Sequence, residues 1–311
     1  MITIPNAFGI TTPNFNPGGK FDFPPGFFAP TPKPRRRYCA NEFPNVTLGN
    51  YLAERAESYY WFTMKHYLDA AEKAARVAGE LLRQNFQRPL RVNSAEAHDI
   101  KLEIDVQAQD LITKLLLKEF PEHALYGEEG IVGDQSSEHQ WVVDPLDGTV
   151  NYFYGIPHFC ISIALRFRGE IIVGVIYDPI REEMWTGQKA ETPRLNGHHF
   201  HVSERADLAE AVISVGLSKT DDTIEAGLPL LQRMIHRVRK CRLLGSAALD
   251  MAYVACGRLD AYIEQGISLW DVAAGWLLIE TAGGTVDLRP REDMKDKYRI
   301  VASNGVIDLK L

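Results

Sequence analysis

Apolar residues recur at helical spacing in the first regular part of the chain. The positions are Leu68, Ala71, Ala75, Ala78 and Leu82. Steps of three and four residues place these side chains on one face of a helix, so residues 51–86 are predicted to form an amphipathic helix against a core. A similar stripe predicts a second helix over residues 105–120, which ends before Pro121. Residues 87–99 between them follow neither a helical nor a strand period and are predicted to be a loop.

The rest of the chain alternates short apolar runs with further helical stripes. Strands are predicted at residues 161–165, 171–177, 184–185, 211–217 and 259–264, and helices at 228–237, 247–255 and 271–282. The sequence Arg168-Gly169 is expected to turn the first strand pair, and Asn196-Gly197 to form another tight turn. This alternation predicts a layered α/β arrangement.

Residues 1–60 differ in composition from the chain that follows and are predicted to be an N-terminal extension. They are rich in Pro, Phe, Asn and Gly, and proline opposes regular structure because it lacks a backbone donor. Their phenylalanines argue against simple disorder, which is poor in aromatic residues. We expect an extended arm that buries aromatic surface of residues 21–28 on its own or a neighbouring subunit. Residues 35–37 (RRR) favour a solvated patch, with a nucleic-acid contact as the lesser alternative.

Composition limits the class of protein and its partners. A hydrophobic fraction of 45% and a charged fraction of 24% are typical of a soluble globular protein. The net charge of −7 disfavours direct binding of nucleic acid or an anionic membrane, so an anionic substrate needs positive charge supplied at its own site. Four widely spaced cysteines indicate neither a zinc site nor a disulfide framework. With no spanning apolar run and no signal-peptide pattern, a cytoplasmic location without a membrane partner is expected.

Residues 141–149 (WVVDPLDGT) carry the most informative chemistry. The two valines suit a buried strand, and Pro145 is expected to end its ladder because it cannot donate a hydrogen bond. Asp144 and Asp147 are close enough for one turn to aim both carboxylates at a common point, with the Leu146 carbonyl between them. Hard oxygens of this kind are the ligands that Mg²⁺ selects. The stretch therefore predicts a divalent-metal site, although Asp, Pro and Gly also make ordinary turns.

Two other segments favour the metal site over a plain turn. Residues 127–130 (GEEG) leave a short apolar strand, and two strand ends in one sheet can bring Glu128 and Asp144 together. Adjacent glutamates are otherwise usually just solvated. Asp271 follows residues 268–270 (SLW) at the start of a helical run and fits an N-cap or first-turn position. That capping role does not exclude metal binding.

Together these segments resemble the inositol monophosphatase family. The family motifs W-[IV]-[IV]-D-P-[IL]-D-G-T, G-E-E and W-D-x-x-A-G match residues 141–149, 127–129 and 270–275. The resemblance covers residues 61–311 and implies an α-β-α-β-α sandwich of the inositol monophosphatase and sugar phosphatase type. It further implies two halves, about 61–195 and 196–311, with the site between them, and assembly as a homodimer.

The resemblance also implies the site residues. Two or three Mg²⁺ ions would be held by Glu128, Asp144, the Leu146 carbonyl, Asp147 and Asp271, with Asp144 bridging two of them. Thr149 would orient the attacking water, and Asp105 would accept the hydroxyl hydrogen of Thr149. The backbone N–H groups of Gly148 and Thr149 would hold the phosphate, helped by a helix that starts near Thr149. Substrate contacts would come from Gly245, Ser246, Ala247 and Glu264.

Each of these roles has a plainer alternative in the sequence. Asp105 would also serve as a helix N-cap, and Asp110 competes for its catalytic role but is too close to Glu128 to match the family spacing. Glu264 could be a surface carboxylate at a strand end. The histidines of residues 198–201 (HHFH) follow a glycine turn and are expected to be a solvated hairpin edge rather than metal ligands.

The chain departs from its family at a lysine that relatives carry upstream of the position of Asp105. Aligning on Asp105 and Glu128 places Ser94 there, so a positive charge near the site is lost unless Lys101 or His98 reaches in. A higher Mg²⁺ requirement than in typical relatives is therefore expected.

Three functions remain open at this point. The leading one is hydrolysis of myo-inositol 1-phosphate, a small-molecule phosphate monoester. A sibling activity on histidinol phosphate, fructose bisphosphate or a 3′-phosphoadenosine nucleotide would use the same metal site. A non-enzymatic role as a partner of transcription or RNA-processing machinery is the third.

Overall fold

The structure, a computed structural model, describes residues 48–96, 98–217 and 219–311. The predicted arm, including residues 21–28 and 35–37, lies outside this range. The chain divides into a unit Met1–Leu52 and a compact unit Ala53–Leu311, and the fold below is that of the second unit. The predicted boundaries near residues 60 and 195 stay predictions.

The helices and strands alternate along the chain much as the sequence predicts. The helices are α1 (Leu48–Asn85), α2 (Glu103–Glu119), α3 (Thr149–Phe153), α4 (Asp221–Ile235), α5 (Ala247–Ala255) and α6 (Leu269–Thr281), with a 3-10 turn at Leu208–Glu210. The first strands are β1 (Val92–Ala95), β2 (Ile100–Leu102), β3 (Ala124–Gly127), β4 (Gly130–Val132), β5 (His139–Asp147), β6 (Cys160–Phe167), β7 (Glu170–Asp178) and β8 (Glu183–Gln188). They are followed by β9 (Arg194–Leu195), β10 (His198–His199), β11 (Val212–Val215), β12 (Lys240–Arg242), β13 (Ala261–Ile267), β14 (Thr285–Pro290) and β15 (Tyr298–Ser303). No helix in the described ranges has the length and apolar character needed to cross a membrane.

The strands form two large sheets and one hairpin. The larger sheet has the order β10-β9-β8-β7-β6-β5-β3-β4, and the smaller one the order β12-β11-β13-β15-β14. Most pairs in the larger sheet are antiparallel, but β3 and β5 run parallel, so their carboxyl ends lie side by side. This parallel pair places Glu128 and Asp144, two of the predicted metal ligands, at the same edge of the sheet.

Alternate residues of the central strands face different cores. Trp141 and Val143 of β5 are buried with α1 and α2, whereas Val142 is buried with α5 and α6. In β13, Tyr262 lies in that second core and Ile263 in a third core with α4. Because successive strand side chains point to opposite faces, the helices and sheets stack as five layers, α-β-α-β-α. The predicted fold class is confirmed.

Within residues 87–99, which the sequence predicts to be a loop, residues 92–95 form a strand. Strands β1 and β2 pair as an antiparallel hairpin in this region. All four residues of β1 are exposed, so this strand has no buried face and leaves no apolar alternation in the sequence. The prediction was wrong because periodicity detects a strand only where one of its faces is buried.

Helix α4 begins seven residues before the predicted start at residue 228. Its N-cap is Thr220, whose hydroxyl accepts a hydrogen bond from the backbone N–H of Thr223. The first turn carries Asp221 and Asp222, which suit the positive end of a helix. The apolar stripe starts only later, at Leu228, so hydrophobic spacing alone misses the polar first turns.

Candidate active site

The turn after Val143 keeps Asp144 and Leu146 in fixed positions. Strand β5 continues to Asp147, and its register with β6 shifts between Asp144 and Asp147. Pro145 therefore produces an irregularity rather than the predicted end of the strand, because a bulge tolerates a residue that cannot donate. The backbone N–H of Leu146 donates to Asp144 Oδ1 at 3.0 Å, and the Thr149 hydroxyl donates to the Leu146 carbonyl at 3.0 Å.

Gly148 is required by both the shape and the crowding of the loop. Its φ is +97°, in the left-handed region that glycine adopts without strain. A Cβ there would lie 2.9 Å from the His158 carbonyl and 3.3 Å from the Gly245 carbonyl. The neighbouring Asn151 donates to the Leu244 carbonyl at 2.8 Å. The phosphate loop predicted at residues 148–149 is thus packed directly against the loop before α5.

Glu128 follows β3 and reaches the same edge of the sheet as Asp144. Its backbone N–H donates to the Val143 carbonyl at 3.1 Å, which continues the parallel pairing by one residue. The preceding Gly127 has no room for a side chain, since a Cβ would lie 2.2 Å from Gln109 Oε1. The prediction that two strand ends bring Glu128 and Asp144 together is confirmed by this geometry.

Asp271 completes a cluster of three carboxylates from three separate elements. It lies in the first turn of α6, where its Oδ2 accepts from the Ser268 N–H at 2.9 Å, so Ser268 is the N-cap. One oxygen of Glu128, one of Asp144 and one of Asp271 all lie within 4.8 Å of one another. Oxygens bound to one Mg²⁺ at about 2.1 Å are separated by about 3 to 4 Å. The spacing therefore fits a small divalent cation.

The electrostatics of the cluster also favour a bound cation. Burial raises the pKa of Asp144 well above its ordinary value, and Glu128, Asp147 and Asp271 raise it further. Burial likewise raises the pKa of Asp271 to about 7, with Glu128 as the next cause. Carboxylates that are buried beside one another resist ionisation. A divalent cation removes this penalty, so the donor set fits Mg²⁺ by charge as well as by spacing.

Asp147 is buried close by but faces the start of α5. Its Oδ2 accepts from the Ser246 hydroxyl at 2.6 Å and from the Ala248 N–H at 2.7 Å, and its Oδ1 accepts from the Ala247 N–H at 3.3 Å. Burial raises the pKa of Asp147 to about 6, although the Ser246 hydrogen bond opposes this. Asp147 is not one of the three clustered residues. Its predicted role as a metal ligand stays a prediction.

Asp105 lies on α2 and has one oxygen without a partner. Its Oδ2 accepts from the Leu102 N–H at 2.8 Å, while Oδ1 is buried with no hydrogen bond to any described residue. Asp105 is in the first turn of α2 rather than at its N-cap, so the capping alternative holds only in part. Burial raises the pKa of Asp105 to about 7. Asp110, the competing candidate, is exposed to solvent.

A cavity of about 370 Å³ joins these groups. Among the predicted site residues, those that line it are Glu128, Asp144, Leu146, Asp147, Gly148, Thr149, Gly245, Ser246, Ala247, Glu264 and Asp271. Asp105 is not one of the lining residues. Glu264 is buried rather than the surface carboxylate of the alternative reading, and it accepts a hydrogen bond from the Tyr262 hydroxyl.

Several cavity residues were missed by sequence reasoning. Asp250 is 2% exposed, accepts from the Ser214 hydroxyl at 2.6 Å and leaves Oδ1 without a hydrogen bond to any described residue. Lys297 donates to the Ser268 hydroxyl at 2.7 Å. For Asp250 the signal was its position on α5, one turn after Ser246. For Lys297 no local signal exists, because it lies far from the motifs in sequence.

Of the two residues expected to bring a positive charge to the site, His98 lines the cavity, whereas Lys101 does not. Lys101 pairs with Glu129 at 3.5 Å, and His98 pairs with Asp221 at 3.5 Å. Ser94 lies on the exposed strand β1. Lys219 contacts the cluster directly, because its ammonium lies 3.2 Å from Glu128 Oε1. The expected increase in Mg²⁺ requirement stays a prediction.

The histidines of residues 198–201 are not part of the site. His198 and His199 form the exposed edge strand β10, as the sequence predicts. His158 is buried, and burial lowers its pKa to about 4.

Comparison with known proteins places the chain in one family. The family model described as "Inositol monophosphatase family" matches residues 63–310. A relative named "Inositol-1-monophosphatase" from Mesorhizobium japonicum is 40% identical over 78% of this chain and 94% of its own length. One named "Nus factor SuhB" from Pseudomonas aeruginosa is 39% identical over 78% of this chain and 92% of its own length. A crystal structure of the extragenic suppressor protein suhB from Bartonella henselae aligns with a TM-score of 0.72 and 35% identity, over 76% of this chain and 93% of that one. The chain belongs to the inositol monophosphatase family.

Proposed function

We propose that this protein is a Mg²⁺-dependent phosphatase whose substrate is myo-inositol 1-phosphate. The observation that carries the proposal is the cluster of Glu128, Asp144 and Asp271 at the wall of a cavity that also contains Glu264. The uncatalysed hydrolysis of phosphate monoesters is among the slowest known reactions, so an enzyme must strongly stabilise the charge that develops in the transition state. Carboxylates with this spacing can hold the cations that provide it.

The residues around the cluster have distinct tasks in this mechanism. Mg²⁺ held by Glu128, Asp144 and Asp271 would supply charge neutralisation at the phosphoryl oxygens and would lower the pKa of a water beside it. Thr149 donates its hydroxyl hydrogen to the Leu146 carbonyl, which leaves its oxygen lone pairs free to accept from a water and orient it. The structure shows the Thr149 hydroxyl hydrogen donated to the Leu146 carbonyl rather than to Asp105 as predicted. Asp105 is proposed to take up that hydrogen in the reacting enzyme, and the backbone N–H groups of Gly148 and Thr149 are proposed to hold the phosphate.

The organic part of the substrate is proposed to lie against Glu264 and Asp250. Both carboxylates are buried at the cavity, and Glu264 already accepts from the Tyr262 hydroxyl. Carboxylates accept hydrogen bonds from hydroxyl groups and repel anions, and polar groups built for hydroxyls discriminate strongly against analogues that lack them. A neutral polyol therefore fits this end better than a sugar or nucleotide with a second phosphate.

A substrate panel tests the proposal directly. We expect the highest kcat/KM for myo-inositol 1-phosphate when it is compared with histidinol phosphate, fructose bisphosphate and a 3′-phosphoadenosine nucleotide, with released phosphate as the measurement in Mg²⁺. A higher kcat/KM for a bisphosphate would contradict the role given to Glu264. No phosphate release from any of the four would remove the enzymatic proposal.

Metal binding should be detectable without any substrate. At pH 8 the carboxylate of Asp271, whose pKa burial raises to about 7, is mostly ionised and repelled by its neighbours, whereas at pH 5 it holds a proton. Since the folded pKa of Asp271 is raised to about 7, its contribution to folding is present at acidic pH and is lost as the pH rises towards 7. We therefore expect Mg²⁺ to raise the melting temperature relative to EDTA, and more at pH 8 than at pH 5.

The size of this effect follows from binding linkage. A cation at about 100 times its dissociation constant stabilises the folded state by about 2.7 kcal/mol. Differential scanning calorimetry in MgCl₂ and in NaCl of matched ionic strength measures it. Equal melting temperatures in the two salts at pH 8 would show that the cluster holds no metal.

A second candidate is a role as a binding partner of transcription machinery. It is favoured by the relative named "Nus factor SuhB" at 39% identity. The two roles are compatible, because the carboxylate cluster is intact and partner binding would use the surface. Assembly as a homodimer and a cytoplasmic location are further proposals, and the mass in solution tests the first of them.

A further inference from the structure

One lysine from the second half of the chain contacts the candidate metal centre. Lys219 follows β11 along the chain, and its ammonium lies 3.2 Å from Glu128 Oε1 and 3.0 Å from Asp99 Oδ1. Both partners are well shielded, with side-chain exposures of 15% for Glu128 and 19% for Asp99. The lysine side chain itself is half-exposed. The Glu128 carboxylate therefore contacts a lysine and also belongs to the cluster with Asp144 and Asp271.

Asp99 keeps this lysine at the cavity. It lies in the turn between β1 and β2, and its carboxylate is not one of the three clustered groups. The ammonium can therefore stay bound to Asp99 when Glu128 is engaged elsewhere. A lysine ammonium is positively charged at neutral pH, and the two carboxylates that it contacts favour this charged form.

A second contact joins the same two segments. His98 Nε2 lies 3.5 Å from Asp221 Oδ1, but the Asp221 side chain is 93% exposed. Such exposed pairs contribute little to stability. The contact that matters for the site is therefore the one made by Lys219, because only this residue reaches a predicted metal ligand.

We propose that Lys219 is a positioning residue that acts as a resident cation of the metal centre and competes with the divalent ion for Glu128. Without metal, its charge offsets part of the repulsion among the clustered carboxylates. With metal, the same charge lies beside a divalent ion and weakens its binding. Lys219 thus sets the metal concentration at which the site fills. This inference rests on the metal-binding part of the proposed function.

The proposal gives two expected effects of opposite sign for one substitution. Lys219→Gln should tighten Mn²⁺ binding about tenfold, the size expected for removing a unit charge about 5 Å from a divalent ion in a water-like dielectric with some screening by salt. The same substitution should lower the melting temperature in EDTA, because Glu128 then lacks its cation beside Asp144 and Asp271. A purely structural role for Lys219 would weaken both properties together.

The experiment measures the dissociation constant of Mn²⁺ by isothermal titration calorimetry on the full chain, together with melting in EDTA. Lys219→Arg keeps the charge and should keep the native affinity. Lys101→Gln is the matched control, since it removes a charge that pairs with Glu129 instead of Glu128. We expect it to change the affinity less than twofold.

The outcomes separate this inference from the proposed function. If Lys219→Gln leaves the Mn²⁺ affinity unchanged or weakens it, Lys219 does not compete with the metal. If Lys101→Gln tightens Mn²⁺ binding as much as Lys219→Gln, the loss of any nearby positive charge has the same electrostatic effect, and the specific role of Lys219 is wrong. If the native protein binds no Mn²⁺, the metal centre itself is wrong and the proposed phosphatase mechanism falls with it.

Discussion

Replacement of Asp144 by asparagine is expected to lower the rate of phosphate release at least a hundredfold without unfolding the chain. Asp144 shares the carboxylate cluster with Glu128 and Asp271, and the loss of its charge should weaken the hold on any cation there. Removal of a single preorganised electrostatic group typically costs roughly a hundredfold to a thousandfold in rate, and the bridging role proposed for Asp144 would make its loss at least that costly.

The fold should tolerate this change because asparagine keeps the local contacts. The amide oxygen of asparagine can still accept from the Leu146 N–H, which donates to Asp144 Oδ1 at 3.0 Å. Burial also makes the ionised carboxylate costly, so a neutral group of the same shape should leave the metal-free protein at least as stable.

The measurement is kcat over a full Mg²⁺ titration, with circular dichroism as the check on folding. Asp134→Asn is the matched control, since Asp134 is an exposed loop aspartate whose hydrogen bonds to Ser136 an asparagine can keep. Near-native turnover of Asp144→Asn at saturating Mg²⁺ would contradict the assignment of Asp144 as a ligand.

The sequence was sufficient for those parts of the site that lie at the ends of buried strands. The apolar runs before Glu128 and Asp144 identify strand ends, and the pairing of β3 with β5 in one sheet then brings the two carboxylates together. Asp271 was placed in the first turn of a helix by its position before an apolar stripe. In these places local pattern and tertiary structure agree, because burial on both faces leaves a strong signal in sequence.

Contacts made across the fold left no such signal. Lys219 lies between β11 and α4 in a polar run (residues 218–223, SKTDDT), and only the meeting of these elements with the turn at Asp99 makes it part of the site. The partners of Asp147 are likewise provided by the start of α5, about 100 residues later in the chain. Periodicity describes one element at a time and cannot give pairings of this kind.

Replacement of Asp105 by asparagine is expected to change activity and stability in opposite directions. Activity should fall about a hundredfold, the effect typical of losing a general acid–base group, because the amide cannot accept a proton. Stability at pH 8 should rise, since asparagine can still accept from the Leu102 N–H at 2.8 Å without burying a charge.

The pH dependence of this gain has a definite sign. The folded pKa of Asp105 is raised to about 7 from an ordinary value of 3.8, so the native protein holds a proton that the unfolded chain releases over this interval. Native stability from this residue therefore falls as the pH rises from about 4 to 7, and Asp105→Asn escapes the loss. A shift of this size corresponds to an upper limit on the order of 4 kcal/mol.

Urea unfolding in EDTA at pH 5 and pH 8, combined with kcat at saturating Mg²⁺, tests both directions at once. Asp110→Asn provides the control, because it makes the same chemical change on the exposed side of α2 and should alter neither quantity. If Asp105→Asn is less stable at pH 8, the carboxylate of Asp105 holds α2 in place. The unpaired oxygen of Asp105 would then not support a catalytic role. A variant that is more stable yet inactive would show that the ionised carboxylate of Asp105 destabilises the fold but is required for catalysis.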